Sequence, residues 1–370
     1  MKIRRVIKWT LLTTLVALVT WFQIAYWTST NDCGRSIPTG AERMKAIRYC
    51  EYGPPDKVLK IEQIEKPVPN DNQVLVRVHA VSLRFYDGGM LEGSVPGRLM
   101  FGLRKPKNTI PGSDFAGTVE AAGKNVTEFK PGDEVFGVRA GCLAEYICVR
   151  ADRGAIVSKP NNVNFDQAAS IPTALVALQG LRDTGHVKAG QKVLINGASG
   201  GIGTFAVQIA KAYGAEVTGV CSGRNVEMVK SLGADHVIDY TKEDYTKSDQ
   251  RYDVIYDLVN NHSFAERRRV LKPGGLCVIA GVGGSGIHEE TLSRFLGVFT
   301  ASLRSKFAKE KFVIFGVDIN KKDLAVLRDL TESGKITPAL TKTYPFTETA
   351  AAYKYLETGH ASGKIAITVD

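Results

Sequence analysis

A glycine-rich run in the middle of the chain has the residue types and spacing of a turn that binds a dinucleotide. The run extends from Ile195 to Gly203 and contains the pattern Ala198-x-Gly200-x-x-Gly203, with alanine at the first small-residue position. Small residues let the backbone turn tightly and approach a pyrophosphate, and the N-terminus of the following helix offers N–H groups to the phosphate charge. The predicted cofactor contacts in this turn are Ala198, Ser199, Gly200, Gly201, Ile202 and Gly203.

The elements that must position this turn can be read on both sides of it. An apolar, strand-like stretch, Val193–Ile195, precedes the turn, and a helix-like stretch, Thr204–Tyr213, follows it. From about Phe165 onward, strand-like and helical patterns alternate, which indicates a parallel, doubly wound sheet. A tight strand-to-helix turn without a ligand is the structural alternative. The predicted strands are Val193–Asn196, Glu216–Val220, His236–Asp239, Asp253–Asp257, Leu276–Ala280 and Phe312–Val317.

Composition limits the classes of protein to which the chain can belong. With 370 residues, 44% hydrophobic and 23% charged, it has the make-up of a globular protein with one large or two ordinary domains. The net charge of +10 is modest for this length and dispersed, which disfavours nucleic-acid binding. The six cysteines contain no CxxC pair, so we expect neither a structural zinc site nor a disulfide framework, and interpret them as small buried side chains.

The N-terminal segment is uncharged from Trp9 to Asn31 and follows basic residues at positions 2, 4, 5 and 8. As a helix, Trp9–Trp27 would extend about 28 Å, close to the roughly 30 Å hydrocarbon core of a bilayer. Aromatic residues lie near both ends, so we predict a single-pass transmembrane anchor. A cleaved signal peptide and a soluble amphipathic extension are the alternatives. The side of the membrane that the rest of the chain occupies stays open.

Between Met44 and about Phe165 the sequence contains short apolar runs broken by Gly and Pro. Gln73–Ala80 shows the alternation of a strand, and several such runs indicate a compact β-barrel-like domain. The tail from Thr341 to Asp370 returns to β character, so we expect it to rejoin this domain. The predicted organisation is an anchor and linker at 1–43, a substrate domain at 44–165 completed by 335–370, and a dinucleotide-binding domain at 166–334.

Several motifs occur in the order of a known family. They are Met44–Ile47, Pro111-Gly112-x-Asp114-x-Ala116-Gly117-x-Val119, Lys130–Gly137, the glycine run, Leu232–Asp235 and Leu271–Gly275. From Met44 to Asp370 the chain closely resembles the medium-chain dehydrogenase/reductase superfamily, in its zinc-independent quinone-oxidoreductase-like branch. The resemblance implies an α/β protein with a GroES-like substrate domain interrupted by a Rossmann domain, an active site in the cleft between them, and a possible homodimer, since similar proteins are usually dimers.

The end of the second Rossmann strand predicts which nicotinamide cofactor is used. Val220–Asn225 contains no acid that would bind the ribose hydroxyls of NAD, whereas Ser222 and Arg224 suit the 2′-phosphate of NADPH. By resemblance, Tyr240 flanks the adenosine, with core packing as the alternative, and Val259 contacts the nicotinamide half. Asn260 stands near a place where relatives have glycine, so its side chain is expected to intrude on the path of the cofactor.

The resemblance also indicates the chemistry. Zinc-dependent members have Gly-His-Glu where this chain has Gly112-Ser113-Asp114, and the cysteine ligand after the strand ending at Ala80 is missing too, so we predict no metal. Direct hydride transfer from NADPH to a quinone, enone or conjugated aldehyde remains.

The predicted catalytic residues are Arg84, Tyr86 and Asp87, in a segment that relatives place at the nicotinamide. Arg84 can stabilise an oxyanion or block the usual substrate position. Tyr86 can donate a proton or pack as an aromatic, and Asp87 can act in catalysis or cap a helix.

A small lipophilic acceptor is the predicted substrate, because an apolar stripe with basic neighbours accompanies the predicted anchor. Domain core or a dimer contact is the alternative for this stripe. Two other functions stay open: an alcohol or aldehyde dehydrogenase using NAD(P), and a catalytically idle NADPH-binding scaffold. The stripe comprises Leu292, Phe295, Leu296, Phe299 and Leu303.

Overall fold

A computed structural model describes residues 2–281, 309–359 and 361–369 of the chain. The predicted stripe from Leu292 to Leu303 therefore lies outside the described residues. The strands are β1 (Arg43–Arg48), β2 (Lys60–Glu65), β3 (Gln73–Ser82), β4 (Asp114–Ala122), β5 (Glu134–Val138), β6 (Tyr146–Arg150), β7 (Ala155–Ser158), β8 (Lys192–Asn196), β9 (Glu216–Cys221), β10 (His236–Asp239), β11 (Tyr252–Asp257), β12 (Leu271–Ile279), β13 (Lys311–Ile314), β14 (Leu340–Pro345) and β15 (Lys364–Thr368).

The helices lie between these strands and at the N-terminus. They are α1 (Lys2–Trp27), α2 (Pro55–Val58), α3 (Phe85–Glu92), α4 (Val95–Phe101), α5 (Phe165–Ser170), α6 (Ala174–Gln179), α7 (Gly201–Ala212), α8 (Val226–Ser231), α9 (Phe264–Arg269), α10 (Lys321–Glu332) and α11 (Thr349–Glu357).

The C-terminal half contains a parallel sheet whose described strands run in the order β10-β9-β8-β11-β12-β13. Its central strands are almost continuously apolar and buried, as expected when helices cover both faces. The chain leaves β8 toward β9 on one side and later returns to β11 on the other. Such a reversal opens a crevice at the carboxyl ends of β8 and β11, the usual place for a ligand in a doubly wound fold. The predicted parallel sheet is confirmed.

The other large sheet is mainly antiparallel and has the order β14-β15-β3-β4-β5-β7, with β6 paired to β3. In β3, buried and more exposed positions alternate from Val76 to Ala80, whereas Leu75 and the last three residues, Ala80 to Ser82, are buried as well. Strand β15 pairs antiparallel with the end of β3, so residues close to the C-terminus lie beside Ser82.

The segment α5–α6 connects the two sheets. Ala168 and Ile171 belong to one buried cluster that also contains Ala116 of β4 and Ile195 of β8. Thr173 lies between the two helices and is buried. Thr173 lies two residues after Ile171 of this cluster and donates a hydrogen bond to Asp114 of β4, so it lies against the antiparallel sheet.

The N-terminal helix does not support the predicted membrane anchor. Within the described part of the chain, none of the helices is sufficiently long and apolar to cross a membrane. In α1, basic residues occupy the first turns, and Thr10, Thr13, Thr14, Thr20 and Gln23 interrupt the apolar run.

A disulfide joins Cys33 to Cys50, so the expectation that the cysteines would form no disulfide was wrong. The two residues are 17 apart in sequence, without a motif that pairs them. The bond joins the segment after α1 to the start of the segment that follows β1. Cys142, Cys221 and Cys277 are buried thiols, as predicted.

Candidate active site

The glycine run forms a tight turn between β8 and α7. Gly197 has a φ of +90°, which favours glycine, and Gly200 occupies the N-cap of α7 with extended backbone. A Cβ on Gly203 would lie 2.0 Å from the Gly197 carbonyl oxygen, so only glycine lets the first helical turn pack on the strand end. A Cβ on Gly200 would meet only that same oxygen, at 3.5 Å. The turn thus leaves the N-terminus of α7 open to a ligand.

Asn225 brings two predicted contacts together. Its buried side-chain amide donates to Ser199 Oγ in the turn and to Ser222 Oγ after β9, both at 3.1 Å. Arg224 is exposed beside Ser222. No pattern in the sequence marks Asn225 as a site residue, because an asparagine after a strand is an ordinary turn residue.

A carboxylate from the neighbouring strand lies close to this loop. A Cβ on Gly223 would lie 2.6 Å from Asp239 Oδ2, at the end of β10. Asp239 accepts hydrogen bonds from Thr241 and pairs with Lys242 at 3.6 Å, so its negative charge is partly offset. Tyr240 follows it, with 59% of its surface exposed and its backbone N–H donating to Cys221 O. Tyr240 therefore does not pack in the core.

The far end of the crevice is built around Asp257 at the end of β11. This fully buried carboxylate accepts from Asn196 and from the backbone N–H groups of Val259 and Asn260, and pairs with Arg267 at 2.7 Å. Val259 lies beside the glycine turn, since its Cγ2 is 2.9 Å from where a Cβ on Gly197 would stand.

The side-chain amide of Asn260 has a hydrogen-bond partner within the protein. Its φ is +55°, a left-handed conformation that favours glycine and that asparagine tolerates better than most residues. Its Oδ1 accepts a hydrogen bond from buried Arg267 at 2.8 Å, which commits the side chain to the Asp257–Arg267 pair. The side chain that was expected on the cofactor path is therefore held by Arg267.

The predicted catalytic segment follows β3. Arg84 binds Asp114 through two guanidinium hydrogen bonds, one of them from Nε at 2.9 Å, and Asp114 is fully buried. Asp87 accepts the backbone N–H of Arg84 at 2.8 Å and so caps α3. Burial raises the pKa of Asp87 to about 6, against the lowering effect of Arg84. The side chain of Tyr86 lies outside the described part of the structure.

A residue that sequence reasoning missed completes this group. Lys364, at the start of β15, is 2% exposed, and its ammonium donates to Leu83 O and to Thr173 Oγ1, both at 2.7 Å. Thr173 in turn donates to Asp114 Oδ2 at 2.9 Å. Burial lowers the pKa of Lys364 to about 8, although Asp114 favours the charged form. The only sequence signal was a lysine in an apolar strand.

Among the described residues, no group of three or more His, Cys, Asp or Glu is arranged to hold a metal ion. Asp114 aligns with the glutamate of zinc-dependent members of the family that the chain resembles. Its carboxylate accepts hydrogen bonds from Arg84 and Thr173. Two cations, Arg84 and Lys364, and two buried carboxylates, Asp87 and Asp114, thus lie together where the two sheets meet.

Two family models match the chain. Residues 70–161 match the alcohol dehydrogenase GroES-like domain, and residues 232–367 match the zinc-binding dehydrogenase.

Curated relatives match most of the chain. It is 35% identical over 348 residues to the NADPH-dependent alkenal/one oxidoreductase, chloroplastic, of Arabidopsis thaliana, with 90% of this chain and 80% of the relative covered. It is 34% identical to the 2-methylene-furan-3-one reductase of Solanum lycopersicum, with the same coverage. It is 31% identical to the quinone oxidoreductase of Homo sapiens, with 89% of this chain and 99% of the relative covered.

Solved structures agree with these relatives. The quinone oxidoreductase from Coxiella burnetii is 32% identical, with a TM-score of 0.76, and covers 89% of this chain and 100% of its own. The CurK enoyl reductase is 26% identical, with a TM-score of 0.75, and covers 89% of this chain and 99% of its own.

Proposed function

Because this chain belongs to the medium-chain dehydrogenase/reductase superfamily, we propose that it is an oxidoreductase that passes hydride from NADPH directly to a quinone, enone or conjugated aldehyde, without zinc. The relatives support the class of reaction and the cofactor, since their names include an NADPH-dependent alkenal/one oxidoreductase and a quinone oxidoreductase. The choice among acceptors and the independence from zinc are the parts of the proposal that need testing.

The observation that carries the proposal is the open glycine turn at the sheet crevice. Gly200 leaves room for a pyrophosphate, and the N-terminus of α7 presents backbone N–H groups and a positive dipole end to it. Val259 flanks the turn on the side of β11, and Ser222 flanks it on the side of β9. The residues present thus fit a dinucleotide that runs from β9 across to β11.

The loop after β9 supports NADPH over NADH. Ser222 and exposed Arg224 can both donate to a 2′-phosphate, and the Asp239 charge beside them is partly offset by Lys242. We expect Arg224→Ala to weaken NADPH roughly 10- to 100-fold while leaving NADH nearly unchanged. Dissociation constants from fluorescence titration measure this. Lys230→Ala, which removes another exposed cation nearby, is the control. Equal losses for both cofactors would contradict the assignment.

NADPH, when bound, supplies the hydride, and the protein must orient the acceptor and stabilise the negative charge that develops on its oxygen. Arg84 and Lys364 provide positive charge next to the crevice, and Asp114 holds both in place, directly or through Thr173. We propose Arg84, Tyr86 and Asp87 as the residues that line the acceptor. An acceptor with its own electrophilic carbon needs no metal to polarise it.

The decisive experiment follows NADPH oxidation with 1,4-naphthoquinone, 3-buten-2-one and trans-2-hexenal, in the presence and absence of a chelator. We expect turnover that the chelator does not reduce. Turnover of alcohols with NADP⁺ instead would favour a dehydrogenase, and NADPH binding with no turnover would favour a binding scaffold. Activity that requires added zinc would overturn the proposed mechanism.

A further inference from the structure

Lys364 connects the glycine turn to the predicted catalytic segment. Its Cδ lies 2.9 Å from the position that a Cβ on Gly201 would take, so its side chain packs against the first residue of α7. The preceding residue, Gly363, donates its backbone N–H to Ser199 O at 2.8 Å. The ammonium then reaches Leu83 O, one residue before Arg84. Gly363 and Lys364, where β15 begins, thus contact both the glycine turn and the predicted catalytic segment.

A structural role alone does not account for a lysine here. Burying an ammonium is costly unless its hydrogen bonds and charge are compensated, and methionine would fill similar space without that cost. The compensation comes from Leu83 O, Thr173 Oγ1 and the charge of Asp114. Each of these groups also helps to position Arg84. Leu83 precedes it in the chain, Asp114 binds its guanidinium, and Thr173 binds Asp114.

We propose that Lys364 is a positioning residue for hydride transfer, which holds the end of β3 and its catalytic segment at a fixed distance from the glycine turn. The proposal rests on the proposed function. Misplacing reacting groups by about 1 Å can reduce a rate about 100-fold, so a fixed link between the two halves has a direct kinetic consequence.

The charged groups that face Lys364 determine how pH acts on it. Asp114 and Asp87 favour its cationic form, whereas burial and Arg84 disfavour it, and its pKa falls from 10.5 to about 8. Below this pH the ammonium is charged, which strengthens its hydrogen bonds to Leu83 O and Thr173 Oγ1 and its attraction to Asp114. Above it the neutral amine keeps two N–H groups but loses that charge, so the link that it makes is weaker. We therefore expect kcat to fall as pH rises through about 8. In Lys364→Arg, whose guanidinium stays charged, this decline should move to higher pH.

The test compares Lys364→Met, Lys364→Arg and the control Lys342→Met, which removes an exposed lysine from the adjacent β14. With 1,4-naphthoquinone, we expect Lys364→Met to lower kcat about 10- to 100-fold, leave the dissociation constant of NADPH nearly unchanged, and abolish the decline above about pH 8. Lys364→Arg should recover part of kcat. Lys342→Met should behave as the wild type.

A second readout uses the protein without cofactor. Hydrogen exchange of the backbone from Leu83 to Glu92 should be faster in Lys364→Met and unchanged in Lys342→Met. Unchanged exchange together with an unchanged kcat in Lys364→Met would overturn the proposal. If the wild type fails to bind NADPH, the proposed function fails. The exchange comparison still decides whether Lys364 fixes the segment.

Discussion

At the scale of single residues, the orientation of hydroxyl protons near the predicted cofactor depends on Asn225. Its amide N–H groups occupy a lone pair on Ser199 Oγ and another on Ser222 Oγ. A hydroxyl has one proton and two lone pairs, so each serine keeps its proton for another acceptor. In this arrangement both hydroxyls can donate to phosphate oxygens, one in the glycine turn and one after β9.

Asn225→Asp should reverse that orientation. A carboxylate accepts both serine protons and adds a negative charge where a phosphate is expected, so NADPH affinity should fall about tenfold or more. NADH, which lacks the 2′-phosphate, should lose less. Fluorescence titration of both cofactors measures the difference. Asn225→Ala is the control, because it removes the amide without adding a negative charge. A larger loss for NADH than for NADPH would contradict this role.

Asn260 illustrates a limit of residue-level prediction. The sequence locates an asparagine where relatives have glycine, but it does not reveal the direction of the side chain. That direction follows from the left-handed backbone and from Arg267, which lies seven positions away on another element. The sequence predicts a side chain at this position, and only the structure reveals that Arg267 binds it.

At the scale of elements, two glycines serve the turn between β8 and α7 for different reasons. Gly203 permits close packing of the helix on the strand end, since its missing Cβ would collide with the Gly197 carbonyl. Gly200 has a φ of −77°, which any residue can adopt, and the space beside it is open. The fold thus requires the glycine at position 203, and we propose that the ligand requires the one at position 200.

The pair of variants Gly203→Ala and Gly200→Ala separates these two requirements. Gly203→Ala should destabilise the protein by about 1–3 kcal/mol or more, because backbone must move to accept the methyl group. Gly200→Ala should unfold at nearly the wild-type temperature but bind NADPH more weakly. Thermal unfolding and fluorescence titration measure the two effects. If both variants bind NADPH as the wild type does, the turn does not hold the pyrophosphate.

The elements also explain how much of the site could be predicted. The glycine turn is local: its strand, turn and helix are contiguous, and the predicted boundaries agree with β8 and α7 within a few residues. The contacts of Lys364, in contrast, join distant parts of the sequence, since Lys364 and Leu83 are separated by 281 positions. Only the pairing of β15 with β3 brings them together, and a single lysine in an apolar strand carries no spacing from which this contact follows.

At the scale of the whole molecule, the segment after α1 is part of the folded structure and not a free linker. Asp32 pairs with buried Arg48 at 2.7 Å and accepts from Thr109, and Asn31 donates to Cys50 O. The Cys33–Cys50 disulfide closes the same contact covalently. The polar composition of this stretch, with Gly34, Pro38 and Gly40, predicts a linker, because the partners that hold it lie elsewhere in the chain.

The disulfide should contribute measurably to stability. Closing a loop of about 15 residues removes enough entropy from the unfolded chain to stabilise the folded state by about 3 kcal/mol, and Cys33 and Cys50 are 17 positions apart. Such bonds persist in oxidising compartments. We expect Cys33→Ser, or reduction of the wild type, to lower the unfolding temperature by similar amounts. Cys148→Ser, which removes a half-buried thiol, should leave the effect of the reductant intact. A wild-type protein whose unfolding is insensitive to the reductant, and equal to that of Cys33→Ser, would show that the two cysteines are not joined.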